Sequence, residues 1–156
     1  MLAWLKSVFG SGEPDEVKQI TAEWELSRKL APIVAAILQL PIQASGRTAE
    51  SLYDEQPAFM CGYLAGLADV LGQGYGGTPG ANLSQNLALR LMIELFGQQQ
   101  AEGRWPEMLN YMHSGVSEFE RGMSIGGQDG NRFLEKGFPR NLAVHLGIGS
   151  SQTGAP

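Results

Sequence analysis

Apolar residues recur at helical spacing along most of the chain. In the first third they lie three, four or seven positions apart, as in an amphipathic helix, at Val17, Ile20, Trp24, Ala31, Val34 and Leu38. This pattern predicts a helix that begins near Pro14, because proline suits the first helical turn. Pro32 lies inside the pattern and predicts a kink or a break at Leu30–Ala31, and Pro41 is expected to end the helix. Residues 45–56 are polar and are predicted to form a loop or a short helix.

Three more long helices and two short ones follow from the same kind of spacing. A second helix is predicted over residues 57–71 and a third over residues 82–98. The third begins at Asn82, a residue that suits the N-cap position. A fourth is predicted over residues 105–126, with an apolar stripe of Met108, Met112, Val116, Phe119 and Met123. Short helices, each closed by a glycine, are predicted over residues 131–136 and 139–146.

The fold class that these patterns define is all-α. No run of alternating β-branched residues is present, and no repeat with a period of about 20–50 residues is visible. We therefore predict a single-domain bundle of about five to seven helices over residues 13–147. Residues 1–12 are predicted to form an amphipathic N-terminal segment with a linker, and residues 148–156 a flexible tail.

The second and third helices are predicted to form the centre of the core. Within residues 57–101 only three side chains are charged, those of Asp69, Arg90 and Glu94. Helices that are apolar on all sides are normally buried. The two helices are joined by Gly72–Gly80, in which five of nine residues are glycine. We interpret this segment as a flexible connector, and the alternative is a flap over a pocket in which Tyr75 contacts a ligand.

The charge of the chain limits the partners that it can have. Its 156 residues contain 11 Lys and Arg against 16 Asp and Glu, which gives a formal net charge of −5. No basic cluster is present, so no nucleic-acid partner is predicted. No apolar stretch reaches the roughly 20 residues that a transmembrane helix requires. The single cysteine, Cys61, and the lack of a signal peptide in residues 1–10 favour a cytoplasmic location.

No constellation of residues indicates a particular chemistry. The two histidines, His113 and His145, do not stand at the spacing of a zinc or di-iron site, and Gly72–Gly80 lacks the lysine of a phosphate-binding loop. Cys61 lies among large apolar residues and is interpreted as a core residue. No metal and no cofactor is predicted. Enzymatic activity is left open, and no catalytic residue is assigned.

Two features of the predicted second helix are open to a structural or a functional interpretation. Asp69 follows small apolar residues and is expected next to the core, where an unpaired carboxylate is costly. A structural ion pair with Arg90 is favoured over a catalytic carboxylate. Gly62 and Gly66 lie four positions apart, a spacing that lets two helices approach closely. Packing within the bundle is favoured over a dimer interface.

A turn is predicted at residues 126–132, because this stretch is rich in glycine. Asp129 or Asn131 is expected to be the N-cap of the short helix that follows. The alternative is an anion site at the start of that helix, beside Arg132. Asp129 and Arg132 are therefore candidate ligand-binding residues.

One functional hypothesis is a ligand-binding or enzymatic bundle. Its pocket would lie between the central helices and the predicted fourth helix. Tyr63, Asp69 and Tyr75 would supply polar groups, and His113 or Arg132 would lie at the mouth of the pocket.

The favoured hypothesis is a small cytoplasmic interaction protein, acting as an adaptor, a regulator or a subunit of an assembly. The N-terminal segment places large apolar side chains on or beside one helical face, at Leu2, Trp4, Leu5 and Phe9. It is predicted to dock on its own bundle, on a partner or sister subunit or, least favoured, on a membrane surface. Gly62 and Gly66 are the other candidate partner-binding residues, and the six methionines of the chain suit adaptable surfaces. A protein partner or self-association is therefore expected.

Overall fold

The computed structural model of the chain describes residues 15–76 and 82–148, which contain seven helices and no strand. The helices, in chain order, are α1 (Asp15–Ala44), α2 (Ala49–Glu55), α3 (Pro57–Gly74), α4 (Asn82–Phe96), α5 (Gln98–Ser114), α6 (Ser117–Leu134) and α7 (Arg140–His145). The predicted all-α bundle is confirmed. The predicted N-terminal segment 1–12, the middle of the glycine-rich connector and nearly all of the predicted tail lie outside the described residues. None of the helices described is long and apolar enough to cross a membrane.

Helix α1 is one continuous helix of 30 residues, so it does not end at Pro41, contrary to prediction, and of the predicted kink or break at Leu30–Ala31 the break is excluded. Pro32 and Pro41 both lie inside it. A proline in a helix interior costs about 3 kcal/mol, because it removes a backbone hydrogen bond and crowds the preceding turn. Burial offsets this cost, since α1 packs along α4 with a row of buried side chains that consists of Ala31, Val34, Ala35, Leu38 and Ile42.

The polar stretch after α1 contains the short helix α2, which is held by a reciprocal cap. Thr48 is the N-cap, and its hydroxyl accepts a hydrogen bond of 3.0 Å from the backbone N–H of Ser51. The backbone N–H of Thr48 in turn donates to the hydroxyl of Ser51 at 2.9 Å. Of the two predicted alternatives, a loop or a short helix, the structure has the helix.

Two helices, α5 and α6, replace the single helix that was predicted over residues 105–126. The break falls at Gly115, whose φ of 64° is a left-handed conformation that favours glycine. Helix α5 also begins earlier than predicted, directly after Gly97, which has a φ of 88°. The predicted apolar stripe is therefore divided between two helices.

Helix α3 occupies the centre of the bundle. Every residue from Phe59 to Ala68 is buried, and the helix contacts α2, α4, α5 and α6. A helix with so many covered sides can carry almost no charge, which agrees with its composition. Helix α3 continues to Gly74, past the predicted end, and Gly72 in its last turn packs against Ser84 of α4.

The most extensive interface of the bundle joins α3 and α6, and glycines of each helix face the backbone of the other. Gly62 and Gly66 of α3 lie against the backbone of Phe119 and Met123. Gly122 and Gly126 of α6 lie against the backbone of α3 in the same way, and Gly130, four positions further on, lies against the side chain of Val70 and the carbonyl oxygen of Leu67. Along α3 and α6 the contacts follow one another in the same order, so the two helices run in the same direction.

The turn that was predicted at residues 126–132 is not formed, and the packing of the glycines of α6 explains why. These residues are helical, and the predicted short helix at 131–136 is the end of α6, which closes at Leu134. A glycine in a helix interior costs about 0.5–1 kcal/mol relative to alanine. Here the missing side chains let two backbones pack against each other, which is the gain that favours glycine at these positions.

Candidate functional site

A groove opens between α3, α4, α5 and α6, with a volume of about 330 Å³. Asp69, Ser84 and Gln85 form its polar edge, and its apolar wall includes Ala88, Trp105, Met108, Leu109, Met112 and Met123. The groove thus lies between the two central helices and the segment that was predicted as the fourth helix. Its volume falls at the lower end of the roughly 300–1,000 Å³ that small-ligand sites occupy.

The carboxylate at the edge of the groove has neutral partners. Asp69 accepts a hydrogen bond of 3.0 Å from the side-chain amide of Gln73 and one of 3.4 Å from the hydroxyl of Ser84. The predicted ion pair with Arg90 is not formed, because the Arg90 guanidinium lies over the ring of Trp24 on α1, 5.2 Å from its centroid. This cation–π contact supplies the partner that Arg90 needs.

The apolar wall of the groove is built from side chains that can adapt to an occupant. Three of them are methionines, which are unbranched and polarisable and therefore repack readily. Met112 is 50% exposed and Leu109 is 40% exposed. An apolar group that enters the groove would remove this surface from water, which contributes about 25 cal/mol for each Å² that is buried.

A buried carboxylate joins α3, α6 and α7. Asp129 of α6 is fully buried and accepts a hydrogen bond of 2.7 Å from the hydroxyl of Tyr63. It also accepts from the backbone N–H groups of Asn141, at 3.0 Å, and Leu142, at 2.9 Å. Asp129 therefore holds the first turn of α7 and is not the N-cap of the segment 131–136, as was predicted.

Tyr63 and Asp129 form a closed pair. Burial, together with the negative charge of Asp129, raises the pKa of Tyr63 well above its ordinary value. The phenol therefore remains protonated and donates to the carboxylate. Both side chains are 0% exposed, so neither presents a surface to a ligand, although both were candidates for ligand binding.

The other candidate residues lie at the ends of different helices. Tyr75 is exposed at the end of α3, His113 is exposed in the last turn of α5, and Arg132 is half-buried in the last turn of α6. Of the residues that were predicted to contact a ligand, Asp69 alone lines the groove. The candidate partner-binding residues of the N-terminal segment lie outside the described residues, and these are Leu2, Trp4, Leu5 and Phe9.

Helix α1 carries an exposed apolar surface that sequence analysis missed. We call Ile33, Ala36, Ile37 and Leu40 the α1 stripe. Ile33 is 60% exposed and Leu40 is 56% exposed, and residues 30–46 contain no charge. The sequence did contain a signal for this surface. Packing on α4 requires apolar residues on one face of α1 only, yet apolar residues are also present on the opposite face.

His145 of α7 closes over the start of α3. Its ring stacks on the ring of Phe59, with centroids 3.7 Å apart, and its Nε2 lies 2.6 Å from the side-chain oxygen of Gln56. The Arg121 guanidinium lies 3.4 Å from Nδ1. In a neutral imidazole Nε2–H donates to Gln56 while Nδ1 accepts from Arg121, so this geometry suits the neutral ring.

The pKa of His145 is lowered from its ordinary value of 6.5, first by burial and then by the charge of Arg121, while Glu118 opposes the shift. The unfolded chain therefore takes up this proton at a higher pH than the folded chain does. We expect the free energy of unfolding to fall as the pH decreases below about 6.5 towards the lower pKa of the folded state. His145→Phe keeps the stack, and we expect it to flatten this part of a pH series of urea denaturations. The exposed His113→Asn is the control, and an equal flattening by that variant would contradict the assignment.

Cys61 belongs to a buried polar cluster around Tyr53. The Sγ of Cys61 lies 3.3 Å from the hydroxyl of Tyr53, and burial raises the pKa of Cys61 to about 11. The Arg104 guanidinium stacks on the Tyr53 and Phe96 rings, 4.2 Å and 4.3 Å from their centroids. A thiol of such high pKa is a poor nucleophile at neutral pH. Cys61 is therefore a core residue in the described part of the chain.

The fold defines the protein as an all-helical bundle with an apolar groove and an exposed apolar helix face. Within the described ranges no group of three or more His, Cys, Asp and Glu side chains is placed to hold a metal ion. No known protein family, no curated protein and no solved structure matches the chain.

Proposed function

We propose that the chain is a helical interaction module that binds an apolar helix of another protein chain through the α1 stripe. The observation that carries this proposal is the exposure of Ile33 and Leu40 on a helix segment without charge. Contiguous apolar patches on a protein surface typically mark interaction sites, because leaving them in water is unfavourable. We propose that it acts in this way as an adaptor, a regulator or a subunit of an assembly, in the cytoplasm.

The spacing of the stripe supports a helical partner. Ile33, Ile37 and Leu40 of the stripe and the exposed Ala44 one turn further on are separated by four, three and four positions, the alternation that presents one continuous seam to a second helix. The flanking Gln39 and Gln43 are polar but uncharged, so no ion has to leave water when the seam is covered. Each fully buried large apolar side chain contributes about 1.5–3 kcal/mol.

A second copy of the chain is the partner that we propose to test first. The same seam on two copies can pack about a two-fold axis, so that each copy covers the other's stripe. We expect Ile33→Glu combined with Leu40→Glu to abolish dimer formation, since two charges on each copy would be forced into the seam. Sedimentation velocity of this double variant, purified as the full chain and run over a concentration series, would show the 16.8 kDa monomer only.

Phe138→Glu is the matched control, because Phe138 is a large apolar residue that is 45% exposed outside α1. We expect this variant to dimerise like the unaltered chain. For a partner other than a second copy, a photo-crosslinking residue at the exposed Ala36 would form an adduct in cells that the double substitution suppresses. An unaltered chain that stays monomeric and gives no suppressible adduct would contradict the proposal.

A ligand-binding or enzymatic bundle is the second candidate function. The observation that favours it is the groove of about 330 Å³, in which Asp69 and Ser84 offer polar contacts beside an apolar wall. A small molecule that binds the folded state raises Tm, so a thermal-shift screen at several pH values distinguishes this alternative.

A further inference from the structure

We propose that the groove between α3, α4, α5 and α6 is the docking site of residues 2–9 of the same chain, which would lie there as a short helix. Of the described residues that line the groove, Asp69 alone is charged. Residues 2–9 combine large apolar side chains with one charged residue, Lys6, which is positive. The segment and the groove therefore match in apolar character and in the sign of their charge. This docking is independent of the α1 stripe.

The spacing within the segment fits such a groove. Leu5 and Lys6 follow Leu2 by three and four positions, and Phe9 follows them by four and three, so a helix places all four on one side. Apolar residues at this spacing anchor amphipathic helices in apolar grooves. A wall that is rich in methionine adapts to such anchors.

The charge of the groove favours one orientation of the segment. Among the described residues Asp69 is bonded to the neutral Gln73 and Ser84, so its carboxylate can also accept the ammonium group of Lys6. A partly exposed pair of this kind adds little to affinity, with a typical value of about 0–1 kcal/mol. Its main effect is to fix the register in which the apolar side chains enter the groove.

The direction of α1 brings the N-terminal segment to the correct end of the bundle. Trp24 of α1 lies beside Arg90 of α4. Helix α2 follows α1 after a short connection, and its Tyr53 ring contacts the Phe96 ring at the end of α4, with centroids 5.4 Å apart. Helices α1 and α4 therefore run in the same direction, and their N-terminal ends lie on the same side of the Trp24–Arg90 contact.

The linker is long enough to reach the groove. Measured back from the Trp24–Arg90 contact, Asp15 lies about 14 Å away along α1, and the groove residue Ser84 lies about 9 Å away along α4, at about 1.5 Å per residue. Because α1 packs along α4, we place Asp15 within about 5 Å of the level of Ser84 and about one helix diameter, 10–12 Å, to its side. Residues 10–14 span up to roughly 17 Å when extended, which covers this distance.

Disulfide trapping in the full chain tests the docking. We expect the pair Leu5→Cys with Leu109→Cys to close an intramolecular disulfide at least about tenfold faster than the pair Leu5→Cys with Val144→Cys, because docking raises the local concentration of the two thiols. Leu109 at the groove and Val144 on α7 are matched in exposure, at 40% and 44%. Native Cys61 is buried and has a pKa of about 11, so it does not compete.

A charge exchange makes the test specific for the proposed register. Lys6→Glu is expected to slow the closure with Leu109→Cys, because it sets two negative charges against each other. Asp69→Lys in the same chain is expected to restore the rate. A further pair, Leu5→Cys with Ile33→Cys, reports docking on the α1 stripe instead.

Three results would overturn the proposal. Equal closure rates for the Leu109 and Val144 pairs would show that the segment does not select the groove. Faster closure of the Ile33 pair would place the segment on the α1 stripe. Disulfide-linked dimers in place of the intramolecular product would show that the groove receives the segment of a second copy.

Discussion

Gly126→Ala is expected to lower the free energy of unfolding by about 3 kcal/mol, the upper part of the range for overpacked cores. A Cβ at this position would meet the backbone of α3, at the carbonyl group of Tyr63 and 3.0 Å from the nitrogen of Leu67. Backbone atoms cannot rotate away as a side chain can. The two helices would have to separate along the most extensive interface of the bundle, which removes contacts well beyond the site of substitution.

The neighbouring glycine provides the control for this prediction. A Cβ at Gly127 would lie 3.5 Å from a methyl group of Val70, an ordinary van der Waals contact, and one at Gly103 of α5 would have nothing within 4 Å. Both substitutions by alanine are expected to raise stability by about 0.5–1 kcal/mol, because alanine is the better helix former. Urea denaturation at equilibrium measures all three variants. Equal effects of Gly126→Ala and Gly127→Ala would contradict the close packing of α3 and α6.

Asp129→Asn is expected to lower the free energy of unfolding by about 3 kcal/mol, which is a fall in Tm of roughly 6–12 °C for a chain of this size. The carboxylate accepts from three donors, the Tyr63 hydroxyl and the backbone N–H groups of Asn141 and Leu142. An amide has one oxygen only, so its NH2 group would face at least one of these donors in a buried site. The substitution barely changes volume, so the loss reports the altered hydrogen bonds and the removed charge and not a change in packing.

Tyr63→Phe is the partial version of the same change, since it removes one donor and leaves both backbone bonds of Asp129 in place. We expect a loss of about 1–1.5 kcal/mol. Hydrogen exchange separates the two variants, because the amides of Asn141 and Leu142 should lose protection in Asp129→Asn and keep it in Tyr63→Phe. Protection of these two amides in Asp129→Asn would refute the role of the carboxylate in holding α7.

The helical class of the fold and the central place of α3 could be predicted because both depend on local pattern. Helical spacing of apolar residues runs through nearly every segment, and α3 is apolar on all sides with no charge from Pro57 to Ala68. Helix ends were harder, because glycine has two opposite uses. Gly115 ends a helix in a left-handed conformation, whereas Gly126 lies inside one and faces another backbone. The sequence feature that distinguishes a glycine inside a helix from one that ends it is the regular spacing. Gly122, Gly126 and Gly130 lie four positions apart, as Gly62 and Gly66 do in α3.

The contacts that were wrong in prediction all depend on residues that are distant in the chain. Arg90 was expected to pair with Asp69, but it lies on Trp24, whose position is set by the packing of α1 on α4. Asp129 or Asn131 was expected to cap the helix predicted to follow, but Asp129 bonds Tyr63, 66 residues away, and the backbone of α7, 12 and 13 residues away. The residues next to Arg90 and Asp129 in the sequence do not indicate these contacts.

For the candidate site, sequence analysis located the region and missed most of the residues. A pocket was expected between the central helices and the predicted fourth helix, and the groove lies there. The polar candidates other than Asp69 lie elsewhere, and the wall is formed by Met108, Met112 and Met123, which were assigned to an apolar stripe. The segment predicted as one helix is two, α5 and α6, which meet at Gly115, and α6 packs against α3. Part of the predicted stripe, such as Met112, is therefore exposed at the groove.

The pairing of α3 with α6 also has a consequence for biosynthesis. Tyr63 and Asp129 are 66 residues apart, and the whole of α4 and α5 lies between the two helices. At roughly 5–20 residues per second, a ribosome needs several seconds to make this intervening stretch. During that time α3, whose residues 59–68 are all buried in the folded bundle, has emerged without its main packing partner. Contacts of such long sequence separation form slowly, so the nascent chain must keep α3 from aggregating until α6 is complete.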